Sequence, residues 1–166
     1  MYIFDFTDNY IKIYNPKNKK LIKEPIEQGV IKNNKIYDYL KLVSILNKVL
    51  YKHRLVNSLF RVKVKILIYE KMSPSEIYLF KNLFRFTSNV ITEIVNVNRY
   101  FKGNYLLVSD NIVYENNKVL KKLKDNDYIL VGNSDNFEEI KLFIEKKYKV
   151  NILEYENSDT IIYERV

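Results

Sequence analysis

The order of strand-like and helix-like segments constrains this chain more than any single motif does. Three short segments with alternating apolar residues come first. Four segments follow, in the order helix-like, strand-like, helix-like, strand-like. Further strand-like segments with one helix-like segment complete the chain. This order is typical of an α/β layer arrangement. Only three Gly and three Pro interrupt it, and we find no internal sequence repeat.

The apolar spacing predicts where each element begins and ends. The predicted strands cover residues 2–6, 10–14, 20–23, 62–69, 90–97, 105–108, 112–114, 118–120, 128–131 and 150–155. The predicted helices cover residues 36–55, 74–87 and 137–147. Ser73 and Glu76 predict a capping box at the second helix, with Pro74 at its first position. We expect Leu40 and Phe143 to lie on the buried faces of the first and third helices.

Composition excludes several kinds of site. The chain has no Cys, so disulfides and thiolate metal sites are excluded, and its one His, His53, excludes a multi-His metal site. We expect His53 to lie at the C-terminal end of its helix, where a positive charge is favourable. The opening MYIFDFTDNY has no basic leader, and no run approaches ~20 apolar residues, so we expect a cytoplasmic protein.

The net charge of +8 favours an anionic partner, either nucleic acid or an anionic membrane surface. The codon bias of an AT-rich genome would produce much of the same Lys excess. Tyr10, Lys12 and Tyr14 alternate along one predicted strand and are a candidate stacking platform for single-stranded nucleic acid, although any exposed strand of a Tyr-rich chain gives such a pattern.

Five segments, in order, resemble the bacterial actin family, and most closely MreB. They are KEPIEQGVI at 23–31, NSLFRVKVKILIY at 57–69, SPSE at 73–76, GNYLLV at 103–108 and YILVGNSDNFEEIKLFIEKKYKVNILEY at 128–155. The resemblance implies an actin-like, ribonuclease H-like fold with a mixed sheet flanked by helices. Residues 1–102 would form the inner subdomain of the first half, and 103–166 a reduced remnant of the second. The outer subdomains are missing.

The family holds ATP phosphates between two hairpins, each with Gly N–H groups at close approach and an Asp on the metal side. Here Asp5 matches the first Asp, but Thr7 replaces the family's Gly. Val108 stands where the second Asp is expected, and Asp110 could replace it only after a shift. Gly132 is the one Gly left in the adenosine motif, where Asn133 replaces another. A side chain in place of Gly would occupy the phosphate's position.

Two further positions depart from the family. Its water-polarising Glu falls near Val95 or Asn96, and neither can act as a base. The small residues that follow are replaced by Arg99, Tyr100 and Phe101, which would crowd the cleft. The resemblance therefore implies a protein that is not an enzyme and has no cofactor. A surviving nucleotide binder is one alternative. A two-metal nuclease site at Asp5 and Asp110 is another, but it lacks the further carboxylates it would need.

Leu59 and Phe60 lie in the segment that, in MreB, inserts into the membrane. Arg54 and Arg61 flank them and suit contact with anionic headgroups. The alternative is that both apolar side chains fold back onto the core.

Our leading hypothesis is a non-catalytic, MreB-like cytoskeletal or scaffold protein of bacterial cell shape or division. It would act through a full-length actin homologue or self-assembly, and at the inner face of the cell membrane. A basic nucleic-acid-binding module is the alternative from a different class.

Overall fold

A computed structural model describes residues 1–55, 61–87 and 89–166. The chain divides into two compact units. Unit 1 comprises residues 1–68 and 72–95, and unit 2 comprises residues 69–71 and 96–166. Both are mixed α/β, as the order of segments predicts.

Unit 1 is built on a five-stranded sheet. Its elements are β1 (Tyr2–Phe6), β2 (Tyr10–Asn15), β3 (Lys20–Pro25), β4 (Ile31–Lys32), β5 (Lys35–Ile36), α1 (Tyr39–Lys52), β6 (Val62–Ile68), α2 (Pro74–Lys81) and β7 (Val90–Asn96). The strand order is β3-β2-β1-β6-β7. β2 is antiparallel to both β1 and β3, whereas β6 is parallel to β1. β4 and β5 form a separate two-stranded hairpin that the apolar spacing did not predict.

One face of this sheet packs against α1 and α2. Phe4 and Phe6 contact Phe84 and Phe80, with ring centroids 5.1 and 6.0 Å apart. The buried positions of α1 are Leu42, Val43, Leu46, Val49 and Leu50.

Leu40 is 78% exposed, so its predicted burial is wrong. The helix begins at Tyr39 rather than at residue 36, because the Asp38 side chain caps it by accepting from the N–H of Lys41. The buried stripe consequently begins at Leu42.

The capping box at α2 is confirmed. The Ser73 hydroxyl accepts from the N–H of Glu76, and the Glu76 carboxylate accepts from the N–H of Ser73. The helix ends at Lys81 instead of residue 87, and turns follow. Leu83 and Phe84 lie in these turns but are still buried, so apolar spacing extended the predicted helix too far.

Unit 2 is built on a second five-stranded sheet. Its elements are a 3-10 turn (Val97–Tyr100), β8 (Tyr105–Ser109), β9 (Ile112–Glu115), β10 (Lys118–Val119), β11 (Asp127–Asn133), α3 (Phe137–Tyr148), β12 (Asn151–Asn157) and α4 (Ile161–Arg165). The strand order is β10-β9-β8-β11-β12. β9 is antiparallel to β8 and β10, whereas β8, β11 and β12 are parallel.

The core of unit 2 lies between its sheet and α3. Leu106, Val108, Leu130, Phe137 and Ile144 are fully buried there. Phe143 is 58% exposed, so the prediction that it faces inward is wrong. The Lys147 amine lies 5.3 Å from its ring centroid.

The two sheets have the same strand order. Counted within each unit, and setting the β4–β5 hairpin aside, both read third, second, first, fourth, fifth. In both, the first strand is antiparallel to the second and parallel to the fourth. The units differ in that no helix of the second connects its third strand to its fourth. The topology therefore repeats although the sequence does not.

Candidate functional site

The tip of the β1–β2 hairpin is closed by Thr7. Its N–H and its hydroxyl both donate to the carbonyl of Tyr10, over 2.9 and 3.1 Å. The same hydroxyl accepts from the N–H of Tyr10 over 3.1 Å. Thr7 is fully buried. At the position where the resemblance to bacterial actins expects Gly, Thr7 is thus buried and uses its polar atoms within the turn.

The β4–β5 hairpin forms a hydrogen bond with this tip. The Asp8 carboxylate accepts from the N–H of Asn34 over 3.0 Å. Asn33 and Asn34 have φ of 51° and 57°, the left-handed conformation that Asn tolerates in tight hairpins. The hairpin tip is therefore held by two sets of hydrogen bonds from its own unit.

Asp5 lies directly opposite Lys12 in the β1–β2 register. Directly opposed residues of an antiparallel pair leave the same face of the sheet, so the register favours an ion pair between them. Asp5 is 2% exposed and Lys12 is 3% exposed. A carboxylate paired in this way would attract a metal ion less strongly, since the ammonium group would balance its charge. The sequence analysis did not predict that Lys12 lies opposite Asp5. The available indication was that Lys12 follows Asp5 by seven residues, across a hairpin turn.

The same burial argues against the proposed stacking platform at Tyr10, Lys12 and Tyr14. Tyr14 is 2% exposed, so neither it nor Lys12 presents a surface to a nucleic-acid base. The candidate platform on this strand is therefore ruled out, because the face that carries Lys12 and Tyr14 is buried.

The β8–β9 hairpin carries the second group of predicted site residues. Val108 and Ser109 are buried, and they pair with Val113 and Ile112 across the hairpin. Asp110 has φ of 51°, the left-handed conformation that Asp adopts more readily than most residues. Asp110 is therefore a turn-forming residue at the position where the sequence offered a substitute metal ligand.

Gly132 is required by the backbone around it. Its φ is +146°, and a Cβ placed there would lie 2.0 Å from the carbonyl oxygen of Val108. The two residues are register partners on the parallel strands β8 and β11. The space that the missing side chain leaves is thus filled by the neighbouring strand, and Gly132 opens no room for a nucleotide.

A polar network joins the β8–β9 tip to the segment after β11. The amide oxygen of Asn111 lies 3.4 Å from the Ser134 hydroxyl and from the Asn136 amide nitrogen, both of which donate to it. The Asn157 side chain accepts from the N–H of Ser134 over 3.2 Å and donates to its carbonyl over 3.3 Å. Ser134 is buried. Sequence reasoning missed this network, although the excess of Asn and Ser around 133–136 was visible.

The network lies at the carboxyl ends of the parallel strands, where α/β sheets usually bind ligands. The helix that follows, α3, carries Glu138 and Glu139 in its first turn. These carboxylates stabilise the helix dipole, as the sequence predicts, and they repel a phosphate at the same place. The polar groups of this edge are used by the chain itself, and its charge is unfavourable for nucleotide phosphates.

Val95 and Asn96, the two positions where the resemblance would place a catalytic base, have structural roles. Val95 is buried, and the Asn96 side chain accepts from the N–H of Asn98 over 3.0 Å to begin the 3-10 turn. Phe101 is buried beneath Arg165, whose guanidinium carbon lies 4.7 Å from the ring centroid. Arg99 and Tyr100 are exposed.

His53 forms the C-terminal cap of α1, as the sequence predicts. Its Nε2 contacts the Glu24 carboxylate, and the Lys52 amine donates to the same carboxylate oxygen over 2.8 Å. The hydrogen bonds from Lys52 and His53 hold the pKa of Glu24 below its ordinary value. This cluster ties the end of α1 to β3 and is structural.

Leu59 and Phe60 lie outside the described residues. Arg54 and Arg61, which flank them, are exposed. Arg54 follows the cap of α1 with φ of 52°. Among the residues described, no helix is long and apolar enough to cross a membrane.

No cluster of three or more His, Asp or Glu side chains suited to a metal ion occurs within residues 1–55, 61–87 and 89–166. Comparisons with protein-family models, curated proteins and solved structures found no match to this chain. The functional conclusion therefore depends on the geometry of the chain itself.

Proposed function

We propose that this chain is a non-catalytic, actin-like protein related to MreB, acting as a scaffold in bacterial cell shape or division. It would work at the inner face of the cell membrane, through a full-length actin homologue or copies of itself. The observation that carries the proposal is the repeated strand order of the two sheets. The resemblance to bacterial actins implies two halves with related cores, and a repeated topology agrees with that.

The closed hairpin tips support the non-catalytic part of the proposal. The Thr7 hydroxyl forms its hydrogen bonds within its own turn, and the Val108 carbonyl fills the space beside Gly132. Asn111 and Ser134 bond each other where ligand oxygens would otherwise be expected. A phosphate at the Asn111–Ser134 edge would have to displace that hydrogen bond and also approach Glu138 and Glu139.

Co-sedimentation with filaments of a full-length MreB tests the scaffold function. We expect this chain to pellet with the filaments in the presence of ATP and to stay in the supernatant without them. A chain that neither joins such filaments nor sediments by itself at any protein concentration would contradict the proposal.

The membrane part has its own test. We expect Leu59→Ser with Phe60→Ser to abolish co-sedimentation with anionic liposomes, because the pair would supply the apolar insertion. Leu142→Ser with Phe143→Ser is a matched control, since both side chains are exposed on α3. Equal loss in both variants, or no liposome binding by the unaltered chain, would contradict membrane contact at 59–60.

A basic nucleic-acid-binding module is the second candidate, and one observation favours it. Lys118, Lys121, Lys122 and Lys124 are exposed within seven residues, with no acidic residue among them. The first three border an open cleft of 460 Å³, which Glu70 and Glu115 also line. Salt-sensitive DNA or RNA binding, together with no binding to liposomes or filaments, would favour this function over the scaffold.

A further inference from the structure

Unit 1 exposes four large apolar side chains around the start of α1 and the end of α2. Tyr37, Leu40, Tyr78 and Phe86 are 71%, 78%, 63% and 72% exposed. Scattered apolar residues are normal on a protein surface, but a group of them marks an interaction site. We call these four residues the aromatic surface.

Hydrogen bonds connect the segments that carry these side chains. The Tyr39 hydroxyl donates to the carbonyl of Asn82 over 2.8 Å, and the Asn82 amide donates to the carbonyl of Tyr78 over 2.7 Å. The N–H of Arg85 donates to the same Asn82 carbonyl over 3.0 Å. Tyr39 stands between Tyr37 and Leu40 in the chain, and Arg85 precedes Phe86. Asn82 thus joins the chain segments that carry the four apolar residues.

The segments are also fixed in place. The capping box holds the start of α2, and the Lys35 amine bonds Glu76 over 3.0 Å, which ties β5 to α2. Asp38 caps α1. Side chains presented by rigid elements lose less conformational freedom on binding, which favours affinity.

The size of the aromatic surface suits a protein partner. An aromatic side chain can bury roughly 150–250 Å², so four large apolar side chains at these exposures offer roughly 500 Å² in total. A standard interface covers roughly 800 Å² on each partner, with an apolar centre and a polar rim. The aromatic surface therefore supplies the centre of such an interface.

The rim of the aromatic surface is positively charged. The Lys32 amine lies 4.3 Å from the ring centroid of Tyr37, and the Arg85 guanidinium lies 5.9 Å from that of Phe86. Lys81, beside Asn82, is exposed as well.

The nearby carboxylates are already engaged. Glu76 bonds Lys35 and caps α2, and Asp38 accepts from the N–H of Lys41. Glu27 pairs with the amine of Lys41. Asp38 keeps its negative charge, because a hydrogen bond from a backbone N–H does not neutralise it. Lys32, Lys81 and Arg85 outnumber it, so the rim stays net positive.

We infer that the aromatic surface docks a protein partner that presents apolar anchors within an acidic rim. A second copy of this chain fits less well, because a symmetric contact would place Lys32, Lys81 and Arg85 against the same cations. The inference rests on the proposed function in one respect, which is that a non-catalytic protein acts through contacts with other proteins.

A pair of synthetic helical peptides tests the inference. One carries Leu and Phe on one face and Glu on the other, and the second replaces every Glu with Lys. We expect the acidic peptide alone to bind the full chain in a fluorescence anisotropy titration. Tyr78→Ser with Phe86→Ser should weaken that binding roughly tenfold or more, as for side chains at the centre of an interface. Arg85→Glu should weaken it too.

Leu142→Ser with Phe143→Ser is the matched control, and it should bind the acidic peptide like the unaltered chain. Equal binding of the two peptides, or unchanged binding by the Tyr78 and Phe86 variant, would overturn the inference. So would self-association or liposome binding that this variant abolishes, since either would give the surface a different occupant.

Circular dichroism should show all variants folded, because every altered side chain is exposed. Failure of the acidic peptide to bind would leave filament co-sedimentation unaffected. Binding of ATP would instead contradict the proposed function and leave the aromatic surface unaffected.

Discussion

Single residues at the hairpin tips carry most of the differences from the nucleotide site that the proposed actin-like ancestry would imply. Thr7 takes the place of a Gly and closes its own turn, and Asp110 adopts the backbone conformation of the turn it forms. Gly132, which the resemblance places in an adenosine motif, has a local role, because the strand beside it approaches too closely for a Cβ. The sequence identifies these positions as different from those of a nucleotide site. The structural role of each residue is visible only in the structure.

Gly132→Ala should strongly destabilise unit 2. The added Cβ meets the Val108 carbonyl at 2.0 Å, and a φ of +146° is strained for any L side chain. We expect a loss of about 3 kcal/mol in the free energy of unfolding, measured by urea denaturation.

Gly103→Ala is the control for backbone strain alone. Its φ is +102°, but nothing lies within 4 Å of the added Cβ. We expect a loss of about 1 kcal/mol there. Similar losses at Gly103 and Gly132 would mean that Val108 does not crowd position 132.

At the scale of elements, short sequence patterns predicted the features that neighbouring residues determine. The capping box placed the start of α2, and the alternating strands of both hairpins lie where expected. Apolar periodicity gave the wrong helix end where a capping residue or a turn determined that end. Asp38 begins α1 after residue 36, and the turns from Asn82 end α2 early.

Other elements gave no usable local signal. β4 and β5 have two residues each, too few for an alternating pattern, and α4 has five. The network around Asn111 and Ser134 joins segments 23 residues apart, a pairing that depends on strand order rather than on spacing in the chain.

The contact between β3 and the end of α1 should depend on pH. Since its pKa is lowered in the folded chain, Glu24 stabilises that state above its ordinary pKa of 4.5, and this stabilisation is lost as the pH falls through the folded value. Glu24→Gln should therefore lower the free energy of unfolding by about 0.5–1 kcal/mol at pH 7. The difference from the unaltered chain should shrink below pH 4.5.

Thermal unfolding of both proteins from pH 3 to pH 7 measures this. Glu27→Gln serves as the control, because Glu27 is 68% exposed and its pair with Lys41 should contribute little. A constant difference between Glu24→Gln and the unaltered chain across that range would rule out the lowered pKa as its cause.

At the scale of the whole molecule, the α/β class follows from the order of segments, and the coordinates confirm it. The repeated strand order could not be predicted from the sequence, because the two units share a topology without a sequence repeat. Strand order is set by long-range pairing, which leaves no local pattern in a single chain. This repetition is the strongest support for the proposed actin-like ancestry, and the closed tips are the strongest support for the loss of chemistry.

Thermal unfolding with and without millimolar Mg-ATP tests the central claim most directly. A ligand that binds the native state at 100 times its Kd stabilises it by about 2.7 kcal/mol. Such a gain raises the Tm of a domain of this size by roughly 5–10 °C. We predict no change in Tm, because the hydrogen bonds of Thr7 at one hairpin tip and of Asn111 with Ser134 at the other leave neither tip open to a phosphate. A rise of several degrees that requires both Mg and ATP would contradict the account.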